Sequence, residues 1–437
     1  MKKKLKLLSA SWLISVVVLA QGTTPLTIDE AIRIAIEKNF NVVIEKNARQ
    51  VGVINNNWGT AGLFPVIGAT GAASIASNNL TQKLVNGTVI ERNGAILRNT
   101  NAGLAVSWRI FDGMRMFATK RRLEELEQVG ELNFRRQINT TVFDVISSYF
   151  QIVQLKQQKN ALLETILFFE ERRKIAEDRF RIGTAPKTDL LQAQVDLNLQ
   201  KANLMTIDNS IQIAKANFNN LLGRSPATEF EIRDQIEPDA SLTFASIREK
   251  AETQNFDLLL AQSNLAVLLQ TKREIISQRL PTVTMNGNLN FSQSRNDAGF
   301  NLFNRNIGPN GNIGIAIPLF NGGNIVRQQR VADIGIENQR ITIEQIRNQV
   351  QTSLLNAYQN FLNALALVQL EKENLDLIRE NNTIATERFK KLSITSLELR
   401  QVQLDYINSQ TRYINALFLA KIAETEMKLL AGDLSKL

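Results

Sequence analysis

Apolar positions along this chain change spacing four times, twice from steps of three and four to strict alternation and twice back. Leu26, Thr27 and Ile28 lead into Glu30 with capping-box spacing, which predicts a helix starting at Thr27. It runs through Ala31, Ile34, Ala35 and Ile44 toward Asn55, and Leu63, Phe64 and Pro65 close it. Beyond Pro65 the pattern alternates, most clearly in the second half. There Val283, Met285, Gly287, Leu289 and Phe291 interleave with Thr284, Asn286, Asn288, Asn290 and Ser292, a strand with one apolar and one wet face. A loop at 296–310 separates it from Ile313, Ile315, Ile317 and Leu319, which alternate with Gly314, Ala316 and Pro318. The matching strands of the first half are 67–75, weak and rich in Ala and Gly, and 103–111. In the latter, Leu104, Val106, Trp108 and Ile110 alternate with Ala105, Ser107 and Arg109.

These strands are expected to be about 9 to 11 residues long, enough to cross a bilayer at a tilt. A soluble sheet with one buried face shows the same alternation. Here no separate apolar layer exists to cover it, because the flanking helices carry long polar faces, whereas lipid would cover it outright. Alternation then turns Arg109, Asn286, Asn288 and Asn290 toward a lumen and Trp108 toward lipid, as an interface anchor.

After each second strand a turn, Phe111-Asp112-Gly113 or Phe320-Asn321-Gly322-Gly323, leads back to helical periodicity. The stretch 114–182 holds no Pro and no Gly except Gly130. At 1.5 Å per residue it predicts a helix of about 100 Å, longer than a globular domain and suited to a coiled-coil-like tube. Its stripe of Val142, Val145, Tyr149 and Ile152 needs a partner helix, as does that of Leu354, Tyr358, Phe361, Leu365 and Val368. Gly183 to Pro186 stops the first helix, and 188–222 returns antiparallel to end at Gly223.

The chain repeats itself. An offset of 209 carries Ile175, Ala176, Arg179, Phe180, Leu190, Gln192 and Gln194 onto identical residues at 384, 385, 388, 389, 399, 401 and 403. The same offset carries Thr184 to Ser393, Asp189 to Glu398, Tyr149 to Tyr358, Asp196 to Asp405 and Gly223 to Gly432. Upstream the offset is 216, mapping Asn39 to Asn255 and Pro65 to Pro281, so the first half is seven residues longer between Pro65 and Phe111. The expected organisation is a signal peptide at 1–20, a first repeat at 21–223, a linker at 224–241 holding a short strand or helix, and a second repeat at 242–437.

Composition narrows the function. Lys2, Lys3, Lys4 and Lys6 precede a short apolar run ending at Ala20, the form of a secretory signal cleaved before Gln21. Those four lysines supply four of the nine net positive charges. The remaining Lys and Arg are interspersed with acids, so no nucleic-acid partner is expected. With no Cys and no His, disulfides, thiolate nucleophiles, His general bases and the usual zinc sites are excluded. No enzyme, metal or cofactor is expected.

Signal, element order, the F-D-G and F-N-G-G turns, and the tip motif R-F-x-x-G-x-x-x-x-x-D-L-L-x-A-Q at 179–194 together resemble the outer membrane efflux proteins, the TolC family. The resemblance implies a mixed α and membrane-β fold. Each chain contributes a duplicated strand pair and long antiparallel helical hairpin, and the assembly is an oligomeric transmembrane β-barrel continuous with an α-helical periplasmic tunnel. It further implies a homotrimer in the outer membrane of a Gram-negative bacterium, extending into the periplasm. Such a trimer works with a periplasmic adaptor and an inner-membrane pump of RND or ABC type, as a passive export duct for small molecules or proteins. Carried over by position, the aperture residues are Glu398 and Gln401, the latter where a second acid is often found. The hairpin-tip residues for adaptor docking are Arg179, Gly183, Thr184, Asp189, Arg388 and Ser393. The second tip has Leu392 where the first has Gly183. Asp189 and Glu398 also suit a helix first turn, and Thr395 with Glu398 fits a capping box. The competing reading is a structural coiled-coil scaffold or adhesin without channel activity.

Overall fold

The computed structural model describes residues 25–232 and 235–434. The expected signal peptide at 1–20 lies outside them. In order, the described elements are α1 (Ile28–Lys38), α2 (Phe40–Asn55), β1 (Val66–Lys83), β2 (Val89–Asp112), α3 (Arg115–Arg181), α4 (Lys187–Leu221), α5 (Phe244–Gln254), α6 (Phe256–Ser277), β3 (Thr282–Asn296), β4 (Phe303–Ala316), α7 (Asn324–Lys390) and α8 (Ser396–Leu430).

The long Pro-free stretches become α3 and α7, each of 67 residues and so about 100 Å long. The 35-residue α4 and α8 fold back against them. The apolar stripe of α3 finds its partners as expected: Val142, Val145, Tyr149 and Ile152 are fully buried with Phe218 and Leu222. The Tyr149 hydroxyl donates to the Leu26 carbonyl at 2.9 Å. Leu354, Ala357 and Phe361 of α7 bury against Met427 and Ile247. Besides its own return helix, α3 packs on α6 and α8, so the two hairpins lie side by side.

Where one helix was expected from Thr27 toward Asn55, there are two. Thr27 caps α1 by accepting from the Glu30 amide at 3.3 Å, and Asn39 breaks the run, its side chain accepting from the Asn41 and Val42 amides. The Asn39 amide also donates to the Leu221 carbonyl at 2.7 Å, and a Cβ on Gly223, whose φ is 67°, would collide with the Lys38 carbonyl. Asn255 repeats the junction, donating to Leu430 O at 2.9 Å while Gly432 lies against Gln254. The repeated Asn and Gly residues therefore share one task. Each Asn opens a helix and ties it to the end of the return helix, where only glycine fits.

The four strands form one antiparallel sheet in the order β1-β2-β3-β4, so the two halves join where β2 pairs with β3. β1 has 18 residues and β2 has 24, against the 9 to 11 expected; the seven extra residues of the first half fall within this longer hairpin. β4 starts at Phe303 inside the expected loop and stops at Ala316, short of Leu319. Pro309 sits within it without disruption because, among the described residues, β4 pairs only with β3, and an edge strand tolerates a missing N–H. The linker forms neither strand nor helix in its described residues. It lies as an extended strap whose Phe230, Ile232 and Ile236 are buried against α3 and α4.

Candidate functional site

The first hairpin tip closes with a hydrogen-bonded helix stop. The Thr184 amide donates to Arg179 O at 2.9 Å and the Gly183 amide to Phe180 O at 3.1 Å, with Gly183 at φ 76°, a Schellman motif. Thr184 Oγ1 adds a second bond to the Arg179 carbonyl at 3.2 Å. The second tip repeats both backbone bonds, Ser393 to Arg388 O at 2.9 Å and Leu392 to Phe389 O at 3.1 Å, but Leu392 occupies the left-handed position at φ 62°. A Cβ on Gly183 would meet nothing within 4 Å, and the Leu392 side chain is 63% exposed. Neither tip residue is selected by packing.

Arg179 joins the tips. Its guanidinium lies 4.0 Å from the centre of the Phe389 ring and donates to the Phe389 carbonyl. Burial lowers its pKa from the usual arginine value while the Asp189 carboxylate pulls the other way, which places Asp189 in its field. Arg388 is exposed. Glu398 is exposed too, and it completes the capping box with Thr395: its Oε2 accepts from the Thr395 amide at 2.7 Å and from Oγ1 at 3.0 Å, and its own amide donates to Thr395 Oγ1 at 3.1 Å. Those hydrogen bonds, assisted by the charge of Arg388, hold its carboxyl below the usual range. Gln401 turns its amide to Asp405 Oδ1 at 2.9 Å. Glu398, Gln401 and Asp405 follow one helix face at steps of three and four, so the acid missing at 401 is present one turn on.

Sequence reasoning missed the cluster behind the tips. Arg172 is 1% exposed and donates to Asp196 Oδ2 at 3.0 Å. Arg400 of α8 reaches the same oxygen at 3.0 Å, Gln192 bonds Oδ1 at 2.8 Å, and Ser396 Oγ lies 3.4 Å from Arg172. Burial lowers the Arg172 pKa and Asp196 raises it. This knot bolts the first hairpin to α8. Its only sequence signal was Asp196 in register with Asp405, and its cations break the repeat: Arg172 maps to Asn381 and Arg400 to Leu191. Higher up, Tyr406 donates to Glu164 at 3.2 Å and accepts from Gln410 at 2.8 Å, a second tie between α3 and α8.

The sheet brings Asn286, Asn288, Asn290 and Arg109 onto one face. Residues paired across an antiparallel ladder share a face, and the register aligns Ser107 with Asn286 and Asn312, Ala105 with Asn288 and Asn310, and Gly103 with Asn290 and Gly308. Ser107 Oγ lies 2.9 Å from Asn286 Oδ1, and Asn288 donates to Asn310 at 3.1 Å. Arg109, opposite Thr284, and Asp112, opposite Thr282 at the base, are the charges that β2 and β3 place on this face from residue 99 down. The other face carries five apolar rows, from Phe111, Val283 and Ile315 up to Ala102, Phe291 and Ile307. At its base the Trp108 indole donates to Leu63 O at 2.8 Å. No helix among the described residues is long and apolar enough to cross a membrane.

Comparison with known proteins agrees with this architecture. Residues 55–224 and 247–433 match the family described as outer membrane efflux protein. Outer membrane efflux protein BepC of Brucella suis biovar 1 (strain 1330) is 20% identical over 316 residues, 72% of this chain and 68% of that protein. Protein CyaE of Bordetella pertussis (strain Tohama I) is 22% identical over 350 residues, 78% of this chain and 72% of that one. Among solved structures, the outer-membrane channel OprN superposes with a TM-score of 0.75 at 16% identity, covering 93% of this chain and 90% of that chain. The outer membrane protein VceC of Vibrio cholerae gives 0.73 at 15%, covering 93% and 96%.

Proposed function

The chain belongs to the outer membrane efflux protein family, and from that premise we propose how its parts make an export duct. It is an outer-membrane efflux channel. Three copies of its four strands close a barrel of twelve, with the Asn-lined face inward and the apolar rows toward lipid. The α3–α4 and α7–α8 hairpins continue the passage into the periplasm, and their tips meet a periplasmic adaptor serving an inner-membrane pump. In this reading Arg179, Gly183, Thr184, Asp189, Arg388 and Ser393 form the docking surface, and Glu398, Gln401 and Asp405 line the aperture.

The sheet carries the reading. Both of its faces are largely exposed and β1 and β4 have no outer neighbour among the described residues. Open edges are not tolerated in lipid, so closure requires other copies. A scaffold of helices capped by a soluble sheet leaves five apolar rows in water. The test compares Leu289→Arg, on the apolar face, with Asn288→Leu, on the wet face. The arginine is expected to block assembly, at about 2–4 kcal/mol per chain near mid-bilayer, whereas Asn288→Leu assembles and changes single-channel conductance. Equal assembly of both variants would mean that the faces are misassigned.

A further inference from the structure

We propose that the outer end of the apolar face is a belt for phosphorylated lipid headgroups, made by Arg98, Arg295 and Arg305. It rests on the membrane reading above, which puts the strand ends farthest from the helices at the outer leaflet.

Register places the three arginines together. Arg98 pairs with Arg295, and Arg305 pairs with Gln293 one row nearer the base. By alternation they share the face of Leu289 and Ile307. From the lowest apolar row to the row of Phe291 is eight residues, about 27 Å along the strand and about 20 Å along the membrane normal at the usual tilt. That nearly fills the apolar band of a barrel. The arginines begin where the band ends, at headgroup height.

Their own surroundings leave the charges short of partners. Like charges directly opposite each other destabilise a sheet, yet Arg98 faces Arg295. The carboxylate nearest to them is Asp297, 3.9 Å from Arg98. Arg295 and Arg305 lie over aromatic rings instead, 5.8 Å from the centre of Phe303 and 5.4 Å from that of Phe291. A ring face attracts the cation without occupying its N–H donors, and the N–H fork of a guanidinium matches a phosphate in two-point geometry. No Lys, Arg, Asp or Glu occurs on this face of β2, β3 or β4 between these rows and the helical end. The charge is therefore confined to one leaflet, as a headgroup belt requires.

The experiment uses the full-length oligomer in phosphatidylcholine vesicles containing either bis-phosphorylated lipid A or the same lipid stripped of its phosphates, and reads the temperature of oligomer dissociation by heat-modified migration. Phosphorylated lipid is expected to raise it by several degrees through preferential binding to the assembled state. The triple change Arg98→Gln, Arg295→Gln and Arg305→Gln is expected to abolish that rise, with its dissociation in phosphate-free vesicles as the folding control. Arg305→Gln alone, on the edge strand, should lose part of it. The proposal is overturned if the wild-type protein shows no rise, if the triple variant keeps it, or if inorganic phosphate with neutral vesicles produces the same rise. Failure of the wild-type protein to insert into any vesicle overturns the membrane reading and the belt together; insertion without dependence on phosphate overturns the belt alone.

Discussion

The two hairpin tips share a backbone and differ in chemistry. At the first, Gly183 takes a left-handed φ without steric cost, and α4 then follows Pro186, an N-cap residue that makes no side-chain cap bond. At the second, Leu392 holds the same conformation against a penalty of about 1–2 kcal/mol, and Thr395 with Glu398 caps α8, a device worth about 1 kcal/mol. Strain and cap nearly offset each other. The turn is thus imposed by how the long helices meet, and its own residues decide only how the local cost is met. Behind the tips the asymmetry is larger: Asp196 is buried between two arginines, whereas its repeat mate Asp405 is half-buried and bonded to Gln401.

The strongest way to break this comparison is at the two aspartates. Asp196→Ala leaves Arg172 buried without a carboxylate and is expected to cost about 3–5 kcal/mol, while Asp405→Ala stays within about 0.5 kcal/mol. Amide hydrogen exchange in α3 and α8 near the tips measures both; equal losses would remove the asymmetry. Next come the turn residues. Gly183→Leu should lower the opening free energy of the first tip by about 1–2 kcal/mol, and Leu392→Gly should raise that of the second by about 0.5–1 kcal/mol, the relief of strain less the entropy of glycine.

The cap is smaller. Thr395→Ala should cost the second tip about 1 kcal/mol, with no change at the first. The cap also responds to pH. Because the folded-state pKa of Glu398 is lowered from 4.5, its contribution is complete above that value and is lost as pH falls through the lowered one. Acidification should therefore speed exchange at 395–399 before it does so at 186–190. The least structural effect is expected of Glu398→Gln, since glutamine still serves a capping box. Its readout is electrical: weaker block by multivalent cations from the periplasmic side, with Asp189→Asn changing block less because Asp189 lies in the field of Arg179 and Arg172. Unchanged block in Glu398→Gln channels would remove this residue from the aperture.

Much of the fold was legible because its signals are local and strong. The long helix expected over 114–182 runs over Arg115–Arg181, bracketed by Gly113 and Gly183. The reach of β1 and β2 was not legible: Ala, Gly, Ser and Asn dominate β1 and the middle of β2, and small polar residues leave no alternation to read. Asn39 was hidden inside a continuous helical period, since its cap is recognised only when the amides it serves turn away from α1. At the tips, Glu398 could be placed in its cap from spacing, whereas the knot of Arg172, Asp196 and Arg400 could not be found by the repeat that it violates.

The sequence by itself determined the order of strand pairs and long helices and which face of the sheet is apolar, because periodicity, caps and breakers act over a few residues; it determined neither the division of the first helix at Asn39 nor the form of the linker. The tertiary structure alone decided that Arg400 shares Asp196 with Arg172, that Arg179 stacks on Phe389, and that Arg98 stands opposite Arg295. Each pairing but that of Arg172 with Asp196 joins residues about two hundred positions apart. Arg400 reaches Asp196 from α8 to α4, and Arg179 reaches Phe389 from α3 to α7, because the packing of α3 on α8 sets the two hairpins side by side; Arg98 meets Arg295 because β2 pairs with β3. The register of those contacts is settled by the summed packing of whole helices and strands, which no local pattern encodes.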